Sequence, residues 1–112
     1  MAHQSSSIKL TPQCPIRTTL ELLGGKWRLL IIQSLATRDK ARYSDIKRNI
    51  PEISDKVLTD ELRSMEINHL INRDEASSKA ITYSLSKLGK EARSLIEPIA
   101  KFGEVYKNEI GL

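Results

Sequence analysis

Apolar residues recur along the chain with changing periods, and each period marks an element. Pro15 suits the first position of a helix, where its missing N–H costs nothing; Ile16, Leu20 and Leu23 then share one face before Gly24 and Gly25 stop the turn. A short first helix is predicted. Trp27, Leu30, Ile31 and Leu35 repeat the helical spacing, and Leu29 and Ile32 widen the stripe until much of the circumference is apolar, which predicts the most buried helix. After the polar stretch 37–40, Ala41 and Arg42 read as a brief strand. Ser44 is a suitable N-cap for a helix with Ile46 and Ile50 inward, ending by Pro51.

Only Pro51, Glu52 and Ile53 separate that helix from the next, for which Ser54 is the N-cap and Asp55 lies well against the positive end. Two short helices joined so tightly suggest helix-turn-helix. Along the second, from Asp55 to about Asn68, a step of about 100° per residue puts Leu58, Leu62 and Met65 on one narrow arc. The opposite arc carries Lys56, Thr59, Asp60 and Arg63. Lys56, Thr59 and Arg63 can donate hydrogen bonds to base edges or phosphates, which suits a helix laid in a major groove. A merely solvated helix face has the same composition, so the neighbouring elements carry weight.

Those neighbours fit. Residues 70–73 and 81–85 read as two strands around a polar tip, 74–80, with Ile81, Tyr83 and Leu85 alternating toward the core: a hairpin that forms a wing beside the helices. His69 falls on the core side of its helix. Ser86 then caps a long helix in which Leu88, Ala92, Leu95, Ile99, Phe102 and Tyr106 alternate steps of four and three, the spacing of a seam for a partner helix; Pro98 is expected to bend it. The predicted class is mainly α with a small β-hairpin, a winged helix-turn-helix in the order α-α-β-α-α-β-β-α. It spans residues 13–112, behind a polar, serine-rich tail, 1–12, expected to be flexible. Dimerisation is expected through the terminal helices, by Ile16 and Leu20 of the first and Leu95, Ile99, Phe102 and Tyr106 of the last.

Composition narrows the chemistry. At 112 residues, 39% hydrophobic and 29% charged, this is one ordinary globular domain. Cys14 is the only cysteine, which excludes an intrachain disulfide and a zinc site of several cysteines. The longest aliphatic run, residues 29–32, is far short of the ~20 needed to cross a bilayer, and residues 1–10 have no signal-peptide core; a cytoplasmic protein is expected. The net charge of +4 favours a polyanionic partner, yet no stretch concentrates it, so geometry has to carry that argument. Neither His69 nor His3 pairs with Cys14 as a base, and no phosphate-binding glycine loop, metal-ligand cluster or nucleophile motif appears. No enzyme, cofactor or metal is expected.

Candidate sites follow. Arg63, whose fork can make two bonds to guanine, is the candidate base reader, and Lys56 a phosphate holder. Arg42, Ser44, Ser54, Thr59 and Asp60 complete the face; Asp60 either accepts from a cytosine amino group or repels phosphate. Lys26 stands where Gly25 leaves backbone N–H groups open to a phosphate, although the favoured reading of Gly24-Gly25 is a plain turn between helices. Arg73 and Lys79 flank the wing, with Asp74 and Glu75 balancing them, and read as groove contacts or as ordinary surface charge. Cys14, directly before Pro15, is a candidate N-cap where the helix dipole favours thiolate; such a thiol can oxidise to sulfenic acid and pair with a partner's Cys14 or a small thiol. A plain capping or buried cysteine explains it equally well. Trp27, Phe102 and Tyr106 are core aromatics or the lining of a small-molecule pocket between subunits.

Several blocks together resemble the HxlR family of winged-helix transcription regulators, a branch close to the MarR type. They are Cys14-Pro15, Leu23-Gly24-Gly25-Lys26-Trp27, Arg42-Tyr43-Ser44, Ile53-Ser54 through Val57-Leu58-Thr59, Leu62-Arg63, Leu70-Ile71 and Tyr83-Ser84-Leu85-Ser86 with Gly89. The resemblance runs from Cys14 to about Gly103. It implies a homodimer on an inverted repeat of double-stranded DNA, with 54–68 as recognition helix and 70–85 as wing. It also implies that a cysteine at the position of Cys14 senses oxidants or electrophiles in some members. Asn68-His69 stands where an acidic residue and glycine are common, so the left-handed turn after the recognition helix falls to less tolerant residues. The rival reading is a winged-helix protein-interaction module, which the mixed charge of 40–63, six basic and five acidic residues, keeps open.

Overall fold

The computed structural model describes residues 8–75 and 80–112. Helix α1 (Pro15–Leu23) begins on Pro15, with Cys14 as its N-cap and Gly24 as its C-cap. Gly25 follows at φ +96°, a left-handed conformation that side chains rarely adopt, and so makes the turn into α2 (Arg28–Ala36). In α2, Ile31, Ile32, Ser34 and Leu35 are buried, as expected for the central helix.

Strand β1 (Ala41–Arg42) runs directly into α3 (Tyr43–Asn49), and α4 (Asp55–Ile67) follows after the short turn. The predicted Ser44 cap is displaced: Arg42 is the N-cap, and Asp45 reaches back so that its carboxylate accepts from the Arg42 N–H at 3.0 Å. Ser54 caps α4 as expected, accepting from the Val57 N–H at 3.1 Å.

Strands β2 (Ile71–Asp74) and β3 (Thr82–Leu85) pair antiparallel, with Ile71 opposite Leu85 and Arg73 opposite Tyr83; β1 adds to the other edge of β3, giving the order β1-β3-β2. Ile81 is not inward as predicted. It precedes β3 and is 39% exposed, because the strand starts at Thr82 and only Tyr83 and Leu85 reach the interior. His69 also departs from expectation: it lies beyond α4, is exposed, and takes φ +65° to turn the chain into β2.

One core joins these elements, built on Ile31, Ile32, Leu35, Ile46, Ile53, Leu58, Leu62, Met65, Leu70 and Ile71. Gly89 belongs to α5 (Lys87–Arg93) and lies so close to the sheet that an added Cβ would stand 2.2 Å from the Leu70 carbonyl oxygen. Ser86 caps this helix, accepting from the Gly89 N–H at 3.0 Å while donating to the His69 carbonyl at 2.6 Å.

The single terminal helix expected from the heptad spacing is two helices. α5 ends at Arg93 and α6 (Ile96–Ile110) restarts after Ser94 and Leu95. In a continuous helix Pro98 would oppose the Ser94 carbonyl with no N–H to give; after the break Pro98 lies in the first turn of α6, where N–H groups have no helical acceptor anyway. Ser94 Oγ donating to the Glu91 carbonyl at 2.8 Å closes α5 locally. The break removes Leu88, 57% exposed on α5, from the predicted seam. No residue of α6 is buried.

Candidate nucleic-acid interface

The helix-turn-helix is fastened at both ends of its turn. Lys47 Nζ donates to the Pro51 carbonyl at 3.2 Å and to the Ile53 carbonyl, while the Ile53 side chain is fully buried. The Tyr43 hydroxyl of α3 lies 2.8 Å from Asp55 Oδ1 and 3.2 Å from the Asp55 carbonyl. Burial, then this hydrogen bond to Asp55, pushes the Tyr43 phenol above its ordinary value, partly opposed by a hydrogen bond from Thr59. The angle of α4 against α3 is thus tied to a buried apolar staple and two polar ones.

A second fastening was not foreseen from the sequence. Arg28, at the start of α2 with its side chain only 15% exposed, donates from Nε to Glu61 Oε1 at 2.9 Å, from Nη1 to the Leu22 carbonyl at 2.8 Å and Asn68 Oδ1 at 3.1 Å, and from Nη2 to Ser64 Oγ. One guanidinium therefore joins the end of α1 to the C-terminal half of α4. The planar fork suits several acceptors at once, which a lysine could not match.

With its inner side held, α4 leaves the predicted arc bare: Lys56, Thr59, Asp60 and Arg63 are all exposed while Leu58, Leu62 and Met65 are buried. Lys56 and Asp60 pair with each other at 2.9 Å, one turn apart. Thr59 is turned toward Tyr43, and Arg63 has no hydrogen bond or ion pair among the described residues. A groove between α4 and the wing is lined by Thr59, Leu62, Arg63, Glu66, Arg73 and Tyr83. Arg73 and Arg63 thereby meet in one cleft, although Arg73 also pairs with Glu75. Continuing the same helical arithmetic by one turn would have added Glu66 and Ile67, both exposed, to this face.

The remaining candidates surround it. Arg42 and Ser44 are exposed at the start of α3, and Ser54 keeps its hydroxyl proton for a further acceptor while its oxygen caps α4. Lys26 lies over the Trp27 ring, 4.8 Å from its centre, in the turn before α2. Lys79 lies outside the described residues. Cys14 holds the predicted capping position, makes no side-chain cap bond and is 4% exposed. Among the described residues no group of acidic, histidine or cysteine side chains is arranged to hold a metal, and no helix is long and apolar enough to cross a membrane.

The match to the HxlR-like helix-turn-helix family extends over residues 22–110, from the end of α1 to the end of α6. The chain belongs to the HxlR family. YdzF of Bacillus subtilis strain 168, an HTH-type transcriptional regulator, is 35% identical over 100 residues, 88% of this chain and 92% of its own. The structure of a MarR-family transcriptional regulator from Porphyromonas gingivalis W83 superposes with a TM-score of 0.78 at 38% identity, covering 86% of this chain and 95% of that one. The redox regulator HypR in its oxidised form gives a TM-score of 0.74 at 26% identity, covering 82% and 96%. The HxlR-type chain is a winged helix-turn-helix transcriptional regulator; its relatives and fold neighbours are regulators, not enzymes.

Proposed function

We propose that this HxlR-family regulator is a homodimer that binds an inverted-repeat duplex site through α4 and the wing. The observation that carries the reading is the bare arc of α4: a helix buried along Leu58, Leu62 and Met65 presents Thr59 and Arg63 outward, and Arg63 is uncommitted among the described residues. Arg63 reads a base edge, with a bidentate contact worth about 1–3 kcal/mol of discrimination. Thr59, positioned by Tyr43, adds a shorter contact. The Lys56–Asp60 pair has to open or turn for Lys56 to meet phosphate, at little cost because both side chains are more than half exposed. Phosphate contacts come from Lys26, Arg42, Ser44, Ser54 and Lys56, with Arg73 and Lys79 on the wing.

The dimer is supported by what the terminal helices leave uncovered. Ile16 and Leu20 on α1, and Leu95, Ile99, Phe102 and Tyr106 at and along α6, are all more than a third exposed. Closing two such faces together places the recognition helices about 34 Å apart, one duplex turn. Cys14 caps α1 within the proposed dimer region, and HypR is a redox regulator; oxidation or alkylation of Cys14 by an oxidant or electrophile would strain the packing of α1 and alter that spacing.

Duplex selection from a random pool followed by a salt titration tests the reading. Lys26, Arg42, Lys56, Arg73 and Lys79 from each of two subunits give an expected slope of about −9 in log K against log salt. Arg63→Ala is expected to weaken the selected site about 10- to 100-fold and a random duplex much less. Failure to enrich any duplex, with the protein folded, would reject DNA binding. Sedimentation that finds only monomer at micromolar concentration would reject the dimer. Unchanged duplex affinity after complete oxidation of Cys14 would reject the switch.

A further inference from the structure

On the side of the sheet away from α4, an open concavity is bordered by the end of α2, the loop into β1, strands β2 and β3, and α5. Its cations come from separate elements: Arg38 and Lys40 from the loop, Lys90 and Arg93 from α5, against the single acid Asp39. Asn72 and Ser84, opposite each other in the β2–β3 register, complete the lining with an amide and a hydroxyl. The apolar walls are Leu35, Ala36 and Leu85. Arg38 is paired with Asp45 at 3.0 Å and Lys40 with Asp74 at 3.2 Å; Lys90 and Arg93 have no ion pair among the described residues.

We propose that this concavity is a binding site for a small anion bearing phosphate or paired carboxylate groups. With Arg38 and Lys40 paired to Asp45 and Asp74, and Asp39 in the lining, Lys90 and Arg93 leave the hollow with an excess of positive charge, which a small anion neutralises. The two strand side chains and the α5 cations belong to different elements that line the same space, so both can contact a compact ligand. The volume, about 450 Å³, is in the range of small-ligand clefts. Such a ligand also competes with Asp74 for Lys40, which gives it a handle on the wing strand β2. The proposal stands independently of the DNA reading, since it concerns the opposite side of the sheet.

The test is amide chemical-shift mapping on the full chain, titrated with inorganic phosphate in one arm and succinate in another, against sodium chloride at matched ionic strength. The expected result is saturable shifts confined to residues 37–40, 72, 84 and 90–93, saturating in one arm or both and so naming the anion class. Lys90→Gln with Arg93→Gln, both exposed positions, is expected to raise Kd at least tenfold with an unperturbed spectrum elsewhere. Shifts no larger than those from chloride, or equal in the double variant, overturn the site. A double variant that binds duplex with a salt slope shallower by about three to four, two cations from each of two subunits, without any anion saturation, also overturns it by assigning the cluster to phosphate backbone.

Discussion

Removing the Arg28 guanidinium tests whether the recognition helix is held by one polar clamp. The side chain is 15% exposed and donates to Glu61, Ser64, Asn68 and the Leu22 carbonyl. A hydrogen bond to a charged group is worth about 1.5–3 kcal/mol and a neutral one about 0.5–1.5, and the four share one side chain, so they do not add fully. Breaking a wholly buried ion pair costs about 3–5 kcal/mol, but Glu61 is 29% exposed and rehydrates in part. Arg28→Ala is therefore expected to cost about 2–3 kcal/mol, lowering Tm by roughly 10 °C in a domain of this size. Urea unfolding with an unchanged m value is the assay, and a cycle with Glu61→Gln should return a coupling of about 1–2 kcal/mol. Arg28→Lys keeps the charge and should recover less than half the loss. A loss below about 0.5 kcal/mol for Arg28→Ala, or a coupling of zero, would refute the clamp.

Three further changes probe other parts of the scaffold. Gly89→Ala forces a methyl group to within 2.2 Å of the Leu70 carbonyl, and should cost about 2–3 kcal/mol in urea unfolding where an ordinary helical site would gain from alanine; a gain would disprove the contact. His69→Gly relieves a side chain held at φ +65° and should stabilise by about 0.5–1 kcal/mol, with no change or a loss counting against strain there. The Asp45 carboxyl is held below its ordinary value of 3.8, first by the Arg42 N–H and then by Arg48 and Arg38. A carboxyl lowered on folding stabilises above its unfolded value, and that contribution is lost as pH falls through the folded one. Melting temperature should thus drop on the acid side of about pH 4, and less steeply in Asp45→Asn; parallel curves would remove Asp45 as a contributor.

What could be read from the residues depended on whether the interaction was local and periodic. The two faces of α4 and its Ser54 cap were legible because each rests on spacing within one or two turns. The Lys56–Asp60 pair was equally local, four residues apart, and readable by the same rule. The cap of α3 was misplaced because β1 runs straight into the helix, and Asp45 supplies from within the first turn what a serine before it would have supplied. Pro98 announced a disturbance without its form, since a bend and a break both accommodate the same missing N–H. The Arg28 clamp spans 33 to 40 residues to Glu61, Ser64 and Asn68, and no periodicity connects such positions. Nor does any local signal say that loop 37–40 and α5 face a common hollow.

The break before α6 bears on assembly. A helix of 15 residues is marginal alone in water, and in its own subunit α6 has no fully buried residue, with Ile96 alone of its apolar side chains packed partly against the core. The Cα radius of gyration, 16.0 Å, exceeds the roughly 13 Å of a compact chain this long. Isolated helix propensity does not offset that exposure, because Ile96, Ile99, Val105, Tyr106 and Ile110 are β-branched or aromatic residues that lose side-chain freedom in a helix. On the proposed dimer reading, the stabilising surface for α6 is supplied by the partner. In the proposed dimer, the hinge at Ser94–Leu95 lets α6 take the orientation its partner requires without moving α5, whose Gly89 is locked against the sheet. A continuous helix would have transmitted any misfit at the interface straight into the wing; the proline-imposed joint separates the two demands.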